Sequence, residues 1–89
     1  MDYQQSQSVQ GRLRGVLIEV DSGLQSETIH IVDELIDHNE CGVATEMLSE
    51  KLAESQSSIS KIVFESIEQL VTEMKLGIEN VDRLRPFVI

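Results

Sequence analysis

The sequence has no tryptophan, one cysteine, one proline, one tyrosine and two phenylalanines. Because Cys41 has no second cysteine to pair with, an internal disulfide and a zinc site built from several cysteines are excluded. With so few aromatic side chains, the core of the 89-residue chain has to be built from Ile, Leu, Val and Met. A chain of this length buries roughly 60–65% of its unfolded surface, which is enough for one modest core in a single domain.

Long apolar runs are also missing. No stretch of the sequence approaches the roughly 20 apolar residues that span a bilayer, so we expect no membrane insertion. Residues 1–5 lack the basic patch and the apolar run of a secretory signal peptide. We therefore expect a cytoplasmic protein.

Positive charge is scarce as well. Sixteen acidic residues against seven basic ones give a formal net charge of −9, which repels nucleic acid and anionic lipid and attracts basic proteins. The excess is concentrated in one segment, where eight acids accompany a single base, Lys51. These acids are Glu27, Asp33, Glu34, Asp37, Glu40, Glu46, Glu50 and Glu54. We predict a basic protein partner and no direct binding of nucleic acid.

Apolar residues recur at three- and four-residue steps in four segments, which predicts four helices over about 6–20, 26–38, 40–53 and 60–76. Residues 78–89 form an apolar tail that we expect to dock on the helices. The prediction is an all-α, small four-helix bundle-like single domain.

Several boundary signals support these helices. Ser26 and Ser60 are suitable N-cap residues, and Asp21–Gly23 ends the first helix. Gly77 follows the fourth helix as a stop signal, and the residue before Pro86 is expected to be extended. On the third helix, Cys41, Ala44, Met47, Leu48 and Leu52 form the inner stripe, and Glu46, Ser49, Glu50 and Ala53 lie on the outer side.

Catalytic and metal chemistry finds little support. His30, Glu34 and His38 are spaced i, i+4, i+8, but positions four apart on a helix drift by about 40° per step, and no fourth ligand is fixed. Cys41 falls on an apolar stripe and is predicted to be a buried hydrophobe. No glycine-rich phosphate loop is present. We predict no enzyme activity, no metal and no cofactor.

The dipeptide Asp21-Ser22 raises one alternative, because acyl carrier proteins are small, acidic and helical and carry their prosthetic arm on the Ser of an Asp-Ser-Leu motif. Here Gly23 follows Ser22 and the dipeptide lies early in the chain, which favours a helix-ending turn. A helical adaptor or dimerisation module is a further alternative.

The spacing of the acids is the main functional signal. Glu46, Glu50 and Glu54 are four residues apart, as are Asp33 and Asp37. Like charges at this spacing cost a helix about 0.2–0.5 kcal/mol per pair. One interpretation is a solvated face, and the other is a face that receives a cationic partner. The second interpretation predicts that the protein's own lysines and arginines leave these carboxylates unpaired. The apolar residues Tyr3, Ile18 and Ile31 lie off their stripes and are candidate anchors for such a partner.

Residues 32–76 resemble small bacterial immunity proteins of the MafI type, which include some immunity proteins of contact-dependent growth inhibition systems. The resemblance rests on DELIDHNECGVATEMLSEKLAES, on ISKIVFESIEQLVTEMKL, and on the apolar C-terminal end. Cys41 stands where the family pattern has Tyr or Phe, and Thr45 stands where it has Leu.

This resemblance implies a bacterial antidote that binds the C-terminal domain of a cognate toxin, often a nuclease such as an RNase, and blocks it. Glu40 and Glu46 would be the family's acidic pair at the junction of the second and third helices. Together with the charge pattern, this predicts that the partner-binding residues are Asp33, Glu34, Asp37, Glu40, Glu46, Glu50 and Glu54.

Overall fold

The computed structural model describes residues 3–89, with side chains from Gln7 onward, and the fold is all-α. The helices are α1 (Tyr3–Val20), α2 (Ser26–Asp37), α3 (Cys41–Ser55), α4 (Lys61–Glu73) and the short α5 (Glu79–Asp82), with 3-10 turns at Asp21–Gly23 and Arg85–Phe87. The four predicted helices and the bundle-like architecture are confirmed. The side chain of Tyr3, one of the three candidate anchors, lies outside the described side chains.

The predicted apolar stripes form one core. Leu13, Ile36, Leu48, Leu70 and Leu84 are each inaccessible to solvent, so all four long helices and the tail contribute to it. Cys41 is also buried, as the stripe predicted. Burial of the apolar face of each helix against the others is what stabilises helices this short.

The start of α4 follows its sequence signals, whereas the start of α2 does not. Ser60 has an extended backbone and its Oγ accepts a hydrogen bond from the Val63 amide at 3.1 Å. Ser26 is instead the first helical residue of α2, and Gln25 at the N-cap position makes no side-chain capping bond. The prediction that Ser26 caps α2 is therefore wrong.

The end of α4 also differs from the prediction. The helix ends at Glu73, and Lys75 adopts the left-handed conformation with φ 57°, whereas Gly77 has no positive φ. The Leu76 amide donates to the Val71 carbonyl at 2.9 Å, and the Lys75 amide donates to the Thr72 carbonyl at 3.2 Å. This is the Schellman pattern, so the helix terminates two residues earlier than a stop at Gly77 requires.

The tail docks on the helices as predicted, but it is more helical than expected. Val81 and Leu84 are buried, and Arg85, expected to be extended before Pro86, lies in the 3-10 turn. The chain becomes extended at Val88, where an isolated parallel bridge pairs it with Ile59. The Ile59 amide donates to the Phe87 carbonyl and the Ile89 amide donates to the Ile59 carbonyl, both at 2.9 Å.

A small buried polar cluster holds α5 against α3. Ser49 Oγ donates to the Asn80 carbonyl at 2.5 Å, and Asn80 Nδ2 donates to the Gly77 carbonyl at 3.0 Å. Both side chains are buried, so the prediction that Ser49 lies on the outer side of α3 is wrong. The tail covers a flank of α3 that the pattern within α3 alone assigns to solvent.

Among residues 3–89, no helix combines the length and the apolar character needed to cross a membrane.

Candidate acidic interaction site

The eight clustered acids all lie on α2, on α3 or at the junction between them, and seven of their side chains are exposed while Asp33 is half-buried. The sequence predicts that these carboxylates have no cation within the molecule. Their ion pairs therefore decide how much negative charge the surface leaves available to another molecule.

Arg14 neutralises part of the α2 surface. Its Nη1 lies 2.6 Å from Asp33 Oδ1, and its Nη2 pairs with Asp37 Oδ1. The hydrogen bond to Asp37 is the largest cause that raises the pKa of Arg14, although burial opposes it. The prediction that Asp33 and Asp37 are left without an internal cation is wrong, because α1 packs on α2 and brings Arg14 between them.

Two further acids have partners on their own helices. Glu54 Oε2 lies 3.3 Å from Lys51 Nζ, one turn earlier on α3. Glu34 Oε1 lies 3.3 Å from His30 Nε2, a contact that is an ion pair only when the imidazole is protonated. These pairs are exposed, and exposed pairs contribute about 0–1 kcal/mol each. Glu54 therefore also departs from the prediction of an unpaired carboxylate.

Glu40, Glu46 and Glu50 make no ion pair within 4.0 Å with any residue that the structure describes. Glu40 occupies the N-cap position of α3 without a side-chain capping bond, and its backbone carbonyl accepts from the Ala44 amide at 3.0 Å. Glu46 and Glu50 follow on consecutive turns. These three exposed carboxylates are the members of the predicted set that have no Arg, Lys or His partner among the described residues.

An apolar side chain accompanies them. Val43 is 49% exposed and lies one turn before Glu46 on the same side of α3, so we call Val43, Glu46 and Glu50 the outer face of α3. Val43 is not among the partner-binding residues predicted from the sequence, although its position off the inner stripe of α3 was a signal that could have identified it. Of the apolar residues off their stripes, Ile18 is 69% exposed and Ile31 only 37%.

Of the residues considered for metal binding, His30 and Glu34 lie in contact, but they gain no third ligand among the described residues. His38 Nδ1 donates to the Glu34 carbonyl at 2.8 Å, and Cys41 is buried. Burial raises the pKa of the Cys41 thiol, against an opposing effect of Arg14. Within the described part of the chain, no three His, Cys, Asp or Glu side chains are placed to hold a metal ion.

Ser22, the residue that an acyl carrier would modify, is exposed in the 3-10 turn Asp21–Gly23. The turn directly continues α1, and α2 begins only at Ser26. Ser22 thus belongs to the end of the first helix and not to the start of the second.

Comparisons of the chain with protein-family models, with curated proteins and with solved structures find no match.

Proposed function

We propose that this protein is an immunity protein that binds the toxic domain of a cognate bacterial toxin, a basic protein such as a nuclease, through the outer face of α3. The observation that carries the proposal is the exposed Glu46 and Glu50, which form no ion pair with a described residue, beside the exposed Val43. The sequence resemblance of residues 32–76 to MafI-type immunity proteins supports it.

The charge distribution favours binding over simple solubility. Three of the carboxylates that could repel one another on α2 and α3 have a local Arg or Lys, but Glu46 and Glu50 sit four residues apart without one among the described residues. This arrangement costs the helix about 0.2–0.5 kcal/mol. A cationic surface that docks there offsets this repulsion, and the net charge of −9 accelerates its approach.

The proposed contact combines the two elements that tight protein interfaces use. Val43 supplies an apolar centre, and Glu46, Glu50 and Glu40 at the α2–α3 junction supply charge around it. In the proposed complex the carboxylates occupy the basic surface with which a nuclease binds phosphates. Because each bound copy blocks one toxin domain, inhibition would be stoichiometric. Asp33 and Asp37 contribute less than the sequence suggested, since they already share the single positive charge of Arg14.

A charge reversal at Glu50 tests the proposal with little risk to the fold. Lys at position 50 would lie four residues after Glu46 and four before Glu54, so the Glu50→Lys helix should gain stability. Binding to the toxin domain encoded beside this gene, measured by titration calorimetry, should nevertheless weaken at least about tenfold, as expected for one charged interface contact.

Glu65→Lys on α4 is the matched control, because Glu65 is exposed and its reversal changes the net charge by the same amount. Equal weakening by both variants would assign the effect to net charge and reject the α3 site. Absence of any complex with the wild-type protein would reject the immunity function itself.

A further inference from the structure

A groove between α1 and α4 is a surface feature separate from the outer face of α3. It has a volume of about 360 Å³, and Gly15, Val16 and Ser66 are among its lining residues. Ile62, also in its lining, is 77% exposed, and Ile18 on α1 is 69% exposed. Two of the three most exposed large apolar side chains of the described residues therefore lie on this pair of helices.

Gly15 lines this groove, and Gly11 lies about one turn before it on α1. A Cβ built at either position would meet no atom within 4 Å, so packing within the monomer gives no reason for glycine. Glycine in a helix interior is nevertheless unfavourable relative to alanine. A second backbone that approaches α1 closely at these positions would account for both residues.

The charges along the groove are arranged symmetrically about Gly15 and Val16. Arg12 and Glu19 both line it, seven residues and about 10.5 Å apart along α1. Arg12 contacts Glu73 at 2.5 Å, whereas Glu19 is exposed and has no ion pair with a described residue. An antiparallel copy of α1, centred between these two positions, would place each Arg12 opposite the other Glu19.

We propose that the protein forms a two-fold symmetric homodimer in which α1 packs antiparallel against α1 of a second copy. Each Ile18 packs over Gly11 and Gly15 of the other chain, Ile62 borders the contact, and two Arg12–Glu19 pairs flank it. Such an interface is isologous, so every contact occurs twice. A second copy fits better than an unrelated partner because the groove carries charges of both signs, with Arg12 shared between Glu73 of its own chain and Glu19 of the other.

This inference goes beyond the proposed function and does not rest on it. The outer face of α3 contributes no residue to the contact, so the dimer could bind a toxin with each copy. Failure of toxin binding would leave the dimer untouched, and a monomeric protein could still bind a toxin.

Sedimentation velocity of the full chain over a wide range of concentrations tests the dimer. The expected mass is twice the 10.0 kDa of one chain, and Ile18→Asp should return it to one chain. Ile78→Asp is the matched control, because Ile78 is 59% exposed in the tail and should leave the dimer intact. A wild-type monomer at all concentrations, or a dimer that Ile18→Asp leaves intact, would overturn the proposal.

Charge exchange distinguishes this interface from any other. Arg12→Glu and Glu19→Arg each create two like-charged contacts in the symmetric dimer and should each weaken self-association about tenfold. A mixture of the two variants restores opposite charges at both contacts, so native mass spectrometry should detect mainly the heterodimer. If the heterodimer makes up only half of all dimers, as random pairing of the two variants would give, the Arg12–Glu19 pairing is contradicted.

Gly15→Leu separates interface effects from folding effects. In the monomer a Cβ at position 15 would meet no atom within 4 Å, and leucine favours a helix more than glycine does, so the thermal midpoint of dilute protein should rise, while dimer formation should be lost. A dimer that forms normally with Leu at position 15 would show that α1 does not pack there.

Discussion

The helix pair α2–α3 and the helix pair α1–α4 differ in the balance of acidic and basic residues that they carry. Residues 26–55, which contain α2 and α3, carry eight acids and one base, whereas α1 and α4 together carry four acids and three bases. The first pair cannot neutralise itself. The second is nearly balanced and exposes Ile18 and Ile62.

The contact between the two pairs modifies this difference. Arg14 belongs to α1 but compensates Asp33 and Asp37 on α2, so the excess charge of α2 is partly removed. No arginine reaches Glu46 or Glu50 on α3 from the described residues. The negative charge that no Arg or Lys of the described residues compensates therefore includes Glu46 and Glu50 on the outer face of α3, and an acidic segment is not the same as an available acidic surface.

The largest expected effect tests whether the two pairs fold as one unit. Leu13 on α1 and Leu48 on α3 are both fully buried in the shared core. Leu13→Ala and Leu48→Ala should each lower the free energy of unfolding by about 2–5 kcal/mol because each leaves a cavity. Urea unfolding followed by far-UV circular dichroism measures this, and both variants should retain a single transition.

Val43→Ala serves as the control for this experiment, because Val43 is half-exposed and its truncation should cost little. Two separate transitions in either core variant would mean that the helix pairs unfold independently, and the comparison would then describe two units.

A smaller effect is expected at the contact between the pairs. Arg14→Met keeps much of the side-chain volume but leaves Asp33 and Asp37 to repel each other across one turn of α2. Since Arg14 is 38% exposed, solvent screening limits the loss of unfolding free energy to about 1 kcal/mol. Thermal unfolding at low salt measures it, and the difference from wild type should shrink in about 1 M salt.

A double-mutant cycle with Asp37→Asn isolates the ion pair from other effects of the substitution. If Arg14→Met costs as much in the Asp37→Asn background as in wild type, the pairing between α1 and α2 contributes nothing to stability.

The smallest effect concerns Cys41, which is buried at the start of α3. Burial raises the pKa of its thiol in the folded state above the ordinary value of 9.0. The folded state therefore holds the proton more tightly, and its stabilisation is complete below pH 9.0 and is lost as pH rises from there through the folded pKa. Unfolding free energies of wild type should fall more steeply above this pH than those of Cys41→Ala. Parallel curves would show that the thiol does not contribute.

The sequence predicted the helices well because their signal is local. The stripe of Val9, Leu13 and Val16 has the helical period, and all three residues are buried in the core. The Ser60 cap was recognisable for the same reason, since its partner, the Val63 amide, is only three residues away. The end of α4 was predicted less well. Lys75, and not Gly77, takes the left-handed conformation that glycine usually adopts after the end of a helix.

The candidate site was predicted only in part because ion pairs depend on residues distant in sequence. Arg14 and Asp33 are 19 positions apart, and no pattern within α2 indicates that they meet. Ser49 was predicted to lie on the outer side of α3 for a related reason, since Asn80, which covers it, is 31 positions later in the sequence. Glu46 and Glu50 were identified correctly as exposed because their orientation follows from the period of α3 alone.

The amino-acid sequence by itself determined the all-α class, the composition of the core and the concentration of acids in residues 27–54, because these follow from residue type and helical period. The tertiary structure decided which acids keep their charge uncompensated, how α5 closes the flank of α3, and where α1 and α4 leave a groove. Those features depend on distances between helices, which arise only when the separate apolar stripes pack into one core.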